Sequence, residues 1–145
     1  MTCLCGSLPE KVHAFVMAGA EQFADTVVIN LRFENGAIGS LSYFAKGPKR
    51  MPKEYIEVYK GGQSAVLTDF RELTTYGAKG TKHRKLFSQD KGQAEMVRKV
   101  VQSMRDGAPA PIPFSEIRAV TQATFAVLRS LRERAELPVD TSVAK

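Results

Sequence analysis

Lysine and arginine gather in two short segments of this 145-residue chain, Lys46, Lys49, Arg50 and Lys53 in one and Lys79, Lys82, Arg84 and Lys85 in the other. Together they hold eight of its 21 cations. Clustered cations attract anions, so a phosphorylated or carboxylated small molecule could lie between the two segments. Further on, Gln89-Asp90-Lys91-Gly92-Gln93 runs into a periodic apolar stretch. If that stretch is a helix, its unpaired N–H groups and its dipole favour an anionic or hydroxylated ligand, which Lys91 and Gln93 would face. Asp90 and Gln93 also match a capping box, which asks for no ligand. The candidate substrate-binding residues are therefore Arg50, Lys53, Lys91 and Gln93.

Other chemistry is hard to assemble. The two histidines, His13 and His83, are far apart in sequence and in no metal-ligand spacing; His13 alternates within an apolar strand and His83 sits in a basic loop. Cys3 and Cys5 form a Cys-x-Cys pair with no further ligands nearby and no disulfide framework. No G-x-G-x-x-G or G-x-x-x-x-G-K-[ST] phosphate loop occurs. The sequence thus offers no catalytic residue, no cofactor-binding residue and no metal site. Nucleic acid is a second reading of the positive charge, but the chain has no Trp, no glycine-aromatic RNA-binding signature and no basic recognition helix.

The net charge is +6, with 43% hydrophobic and 25% charged residues, the balance of an ordinary soluble domain. At this length one core is expected. No apolar run approaches the roughly 20 residues that cross a bilayer, and no basic-then-apolar leader opens the chain. The expectation is a cytoplasmic domain that meets no membrane.

Most of the chain reads as strands. From Thr26 to Phe33, Val27, Ile29, Leu31 and Phe33 alternate with their neighbours, the period of a half-buried strand. Asn35-Gly36 predicts a two-residue type I′ turn and an antiparallel return from Ile38 to Ala45. Tyr55 to Lys60, the turn Gly61-Gly62 and Gln63 to Phe70 repeat the pattern, with Ile56, Val58, Ala65 and Leu67 sharing a face. Lys11 to Ala18 makes a further strand, and Leu73 to Tyr76 with Arg84 to Phe87 a weaker hairpin around Gly77 to Gly80. The period then changes to 3.6. Ala94, Val97, Val100, Val101 and Met104 form a helical stripe closed by Gly107, and a second helix capped by Ser115 carries Ile117, Val120, Thr124, Val127, Leu128 and Leu131.

The expected fold is α+β: an open, mostly antiparallel β-sheet of six or seven strands with two C-terminal helices packed on one face. About seven strands make a sheet roughly 30 Å wide, while two helices cover about 20 Å of one side. The bare face would carry Val28, Leu41, Tyr43, Tyr55, Tyr59 and Val66, a composition suited to self-association. Residues 8–140 form the expected domain, with 1–7 and 141–145 frayed.

Taken in order, several segments resemble one family. Thr26 to Ser40, Lys53 to Tyr59, Gly62 with Ala65 to Phe70, Asp90 to Glu95, Pro111 to Phe114 and Thr121 to Leu131 are similar to the C-terminal domain of the Gfo/Idh/MocA oxidoreductases, the glucose-fructose oxidoreductase and inositol dehydrogenase family. The resemblance spans about residues 8 to 140. It implies a parent enzyme in which an N-terminal Rossmann domain binds NAD or NADP, while this domain shapes the pocket for a sugar, polyol or related hydroxy compound and joins subunits into a homo-oligomer. The family's Glu-Lys-Pro motif does not match Glu10-Lys11-Val12, and its Asp-x-x-x-His element maps onto neither histidine. The implied role of the chain is a substrate and assembly domain that binds no cofactor and is inactive alone. The alternative is a non-enzymatic module that binds anions or nucleic acid.

Overall fold

A computed structural model describes residues 1–19, 25–48 and 50–141. Lys49 and the last four residues of the expected frayed tail lie outside the described residues. The chain divides into two compact units, residues 1–47 with 109–145, and residues 48–108.

The first unit contains α1 (Thr2–Cys5), β1 (Pro9–Val16), β2 (Thr26–Phe33) and β3 (Ile38–Phe44). It closes with α3 (Phe114–Glu133) and β8 (Leu137–Pro138). Its sheet runs β3-β2-β1-β8, antiparallel throughout. The first residues, expected to fray, include the helical turn α1, where Thr2 is buried and Asn35 Nδ2 donates to the Cys5 carbonyl at 2.9 Å. Leu137-Pro138, which sequence placed merely as the exit from the last helix, adds the edge strand β8, and Val139 N–H donates to Glu10 O at 2.8 Å.

The β2–β3 connection differs from the two-residue turn that Asn35-Gly36 predicts. Phe33 N–H donates to Ala37 O, Gly36 N–H donates to Phe33 O, and Gly36 alone of the loop is left-handed, at φ 83°. This is the three-residue loop with a bulge glycine. Asn35 is held out of the left-handed region because its carboxamide serves two partners, the Cys5 carbonyl and the Ala37 N–H. One extra loop residue shifts the register by one, so Val28 pairs with Ser42 and Ile29 with Leu41. Leu41 and Tyr43 consequently share the face of Val27 and Ile29, and Val28 points to the other side; the expected common face of Val28, Leu41 and Tyr43 does not form.

Helix α3 packs on β1 and β8. The core joins Val12 and Ala14, 1% and 3% exposed, to Ala119, Ala123, Ala126 and Ser130. Sequence pointed instead to a stripe of Ile117, Val120, Thr124, Val127, Leu128 and Leu131. Ile117, Val120 and Leu128 are exposed, while Val127 packs partly buried against the core; the small side chains let the helix backbone come close to the sheet. The helix begins at Pro113, whose carbonyl accepts from Glu116 and Ile117 N–H, so Ser115 lies inside the first turn and caps nothing.

The second unit contains β4 (Tyr55–Lys60), β5 (Gln63–Thr68), β6 (Glu72–Gly77), β7 (Gly80–Lys85) and α2 (Gln93–Asp106). Its antiparallel sheet runs β4-β5-β6-β7. Gly61 and Gly62 are both left-handed, at φ 55° and 72°, and make the predicted type I′ turn. Ile56 pairs with Leu67 and Val58 with Ala65, on one face as expected. β5 stops at Thr68 and does not reach Phe70, because Asp69 and Phe70 are left-handed at φ 53° and 50°. The fold class is therefore α+β with open antiparallel sheets, the strands being shared between two four-stranded sheets. Of the two helices expected on one face, α3 packs on the first sheet; among its described residues α2 buries none, and its stripe, with Met96, Val97, Val100, Val101 and Met104, is exposed.

Candidate functional site

Register brings the four predicted site residues to one end of the second sheet. Tyr55, Thr68, Glu72 and Lys85 lie opposite one another across its strands. The segment 50–54 that enters β4, the turn 69–71 and the loop 86–92 that leaves β7 therefore meet at that end. Arg50 and Lys53 belong to the first, Lys91 to the third, and Gln93 opens α2 just beyond it.

Backbone bonds tie the three segments together. Asp69 N–H donates to Glu54 O at 2.6 Å, Leu86 N–H to Arg71 O at 2.9 Å and Asp90 N–H to Phe70 O at 3.0 Å. Arg71 Nε also donates to Leu86 O at 3.0 Å. The left-handed pair Asp69 and Phe70 makes these bonds possible: the turn closes by Arg71 N–H to Thr68 O and turns both neighbouring backbone groups toward segments 54 and 90. Asp tolerates that conformation, while for Phe it costs about 1–2 kcal/mol.

Side chains add a second layer. Lys91 Nζ donates to Glu54 Oε1 at 2.7 Å and lies 5.8 Å from the centre of the Phe70 ring. Gln89 Nε2 donates to Asp69 Oδ1 at 2.8 Å. The hydrogen bond from Lys91 holds the Glu54 carboxyl below its usual value of 4.5; desolvation opposes this, and the charges of Lys91 and Lys53 reinforce it. Glu54 Oε2 is buried and without a hydrogen-bond partner among the described residues.

Several expectations change here. Asp90 does not cap through a box with Gln93: Gly92 is the N-cap, at φ 74°, and Asp90 Oδ1 accepts its N–H at 2.8 Å. Gln93 is exposed and makes no side-chain bond among the described residues, and Lys91 is engaged by Glu54. Arg50 and Lys53 are exposed. His83 stands on β7, with Nδ1 3.0 Å from Thr74 Oγ1, and not in a loop. The second basic segment runs the length of the β6–β7 hairpin, so only Lys85, paired with Glu72 at 2.6 Å, reaches the end where Arg50 and Lys53 lie. Glu54, Asp69, Phe70 and Gln89 had no role in the sequence reading. A Phe in the second position of a type I′ turn has no pattern signal, and the Glu54–Lys91 pair spans 37 positions.

The arrangement is one of hydrogen-bond donors and acceptors, with an ionised carboxylate and an ammonium, suited to holding hydroxyl groups. Among the described residues the one strand-to-helix step, β7 to α2, carries the single glycine Gly92, and the Asp90 carboxylate takes its N–H. Among the described residues no group of His, Cys, Asp and Glu could hold a metal ion, and no helix is long and apolar enough to cross a membrane.

The first unit has a separate, half-open apolar cleft of about 230 Å³ between its sheet and α3, lined among others by Ile29, Leu31, Leu41, Val120 and Val127. Its wall includes Thr124, whose hydroxyl is spent on Val120 O at 3.0 Å. It offers mainly apolar contact area.

Open antiparallel sheets and C-terminal helices make an α+β fold that other proteins share. No family model matches the sequence, and no curated protein matches it. Solved structures do. A crystal structure of an oxidoreductase from Agrobacterium radiobacter in complex with NAD+, L-tartaric acid and magnesium aligns with a TM-score of 0.77 at 12% identity, over 95% of this chain and 45% of its own. UDP-N-acetylglucosamine 3-dehydrogenase from Acidithiobacillus ferrooxidans gives 0.74 at 17% identity, over 88% and 42%. Levoglucosan dehydrogenase in complex with NADH and levoglucosan gives 0.73 at 16%, over 92% and 45%. At these identities the likeness is one of fold, and the chain spans less than half the length of these structures. The fold is that of the C-terminal domain of Gfo/Idh/MocA-type oxidoreductases, as the resemblance implied.

Proposed function

We propose that this chain is the substrate-binding and oligomerisation domain of a cytoplasmic, NAD(P)-dependent dehydrogenase acting on a sugar, polyol or related hydroxy compound. The observation that carries this reading is the alignment of nearly the whole chain with less than half of known dehydrogenases. The nicotinamide belongs to a Rossmann domain of the parent enzyme. Arg50, Lys53, Lys91 and Gln93 line the substrate pocket, with Glu54 beside them. In that role Lys91, partly exposed and held by Glu54, donates to a substrate hydroxyl. The open sheet faces join copies of the enzyme.

The test is a titration of NADH fluorescence with the 145-residue chain, followed by the same titration with the parent enzyme. The reading expects binding by the parent only, and a raised KM with little change in kcat for Lys91→Ala in the parent. Tight nicotinamide binding by the isolated chain would overturn it, as would an unchanged KM for the assignment of Lys91.

A further inference from the structure

We infer that the outer edge of β7 is a docking edge for an acidic, extended polypeptide segment, which adds to the second sheet as a further strand. β7 ends the strand order of its sheet, and all of Gly80–Lys85 is exposed. Paired on one side with β6 alone, it leaves about half of its backbone N–H and C=O groups facing outward. Such an edge accepts an extended chain through main-chain bonds, and the flanking side chains decide which chain is accepted.

Here the flanking side chains are cationic. Lys82 lies opposite Thr75 and Arg84 opposite Leu73, on one face of the sheet; His83, opposite Thr74, is on the other with Lys85. Lys85 is taken by Glu72, and His83 lies beside the Thr74 hydroxyl. Lys82, Arg84 and Lys79 at the hairpin tip have no acidic partner among the described residues.

Charge also selects against the competing occupant. A second copy pairing through this edge would set cation against cation, and like charges directly opposite are destabilising. A strand with Asp or Glu at alternate positions sets a carboxylate opposite both Lys82 and Arg84. Opposite-charge cross-strand pairs are favourable, and the net charge of +6 draws an acidic segment in. The preferred occupant thus carries carboxylates at positions i and i+2 of an extended run.

The test uses the full 145-residue chain and a fluorescein-labelled peptide of alternating Glu and Thr, about six residues, one strand in length. Two N-methylated versions of the peptide block the amides of the Glu or of the Thr residues, and a single-stranded DNA of matched charge serves as the comparison polyanion. The expected result is a saturable rise in anisotropy with the parent peptide, weakened at least about tenfold by one methylation pattern only. Lys82→Glu with Arg84→Glu should weaken it by a similar factor, with an unchanged far-UV spectrum. Absence of saturable binding, equal binding of the parent and both methylated peptides, or DNA binding as tight as the peptide would overturn the proposal. The peptide comparison needs no variant, so it decides the matter even if the double substitution unfolds.

Discussion

The Ser130 hydroxyl stands where a rung of the sheet should be, between Ala14 and Ala135. β1 and β8 pair Val12 with Leu137, and the same register carried two residues on would pair Ala14 with Ala135. The chain has left the strand by then. Ala14 N–H instead donates to Ser130 Oγ at 3.0 Å, and Ser130 Oγ–H donates to the Ala135 carbonyl at 2.6 Å. One side chain thus ties the end of α3 to β1.

Ser130 is fully buried, so replacing it with Ala strips both backbone groups of their partner in a place that excludes water. Leaving such groups unpaired costs about 1–3 kcal/mol. We expect Ser130→Ala to lower the unfolding free energy from urea melts by that amount with an unchanged m value; a cost within the error of the fit would show that the bridge is dispensable.

Hydrophobic period and turn residues made β2, β4 and both long helices legible in the sequence, since each depends on neighbours within a few positions. What depended on a choice between close alternatives was not. Asn35-Gly36 supports a loop of two or three residues, and the choice was made by the distant Cys5 carbonyl, which carries the face of Leu41 and Tyr43 with it. The buried face of α3 is marked by Ala119, Ala123, Ala126 and Ser130, which a search for large apolar residues passes over. At the candidate site, Lys91 was visible as a helix-entry residue, but its partner Glu54 and the strained Phe70 beneath it belong to contacts made only after folding.

The small-residue face of α3 gives a paired prediction. Ala126 is 5% exposed, packed in the core with Val12 and Val139 and away from the cleft, so Ala126→Leu should destabilise by about 1–3 kcal/mol through overpacking. Ile117 is 50% exposed, and Ile117→Ala should stay near about 0.5 kcal/mol. Denaturant melts of the two variants check the order; the reverse ranking would return the core to the large-residue stripe.

Arg134 closes α3 in the left-handed conformation at φ 52°, a place that favours glycine. It is exposed, and among the described residues its side chain makes no bond to lose. Relief of the Cβ clash outweighs the added freedom of the unfolded chain, so Arg134→Gly should stabilise by about 0.5–1 kcal/mol. Arg134→Ala, which keeps the Cβ, should change little. Thermal melts that rise equally for both would assign the effect to the lost charge.

The Glu54–Lys91 pair makes a prediction in pH. Glu54 is lowered from 4.5 chiefly by the Lys91 hydrogen bond, so its ionised form is favoured in the folded state over the unfolded one. A depressed carboxyl contributes stability that is fully present above its unfolded value and is lost as pH falls through its folded value. Wild type should therefore exceed Glu54→Gln in stability at pH 7, with the gap closing below about 4.5. Lys91→Met should move the Glu54 carboxyl midpoint, followed by carbon-13 shifts, back up toward 4.5. High salt should shrink the gap, because both side chains are partly exposed, at 40% for Lys91 and 30% for Glu54. A Glu54 midpoint at or above the ordinary carboxylate value in the wild type would mean that Lys91 faces solvent, free for a ligand from the start, and that the loop into α2 is held by its backbone bonds and the Gln89 and Arg71 side chains without it.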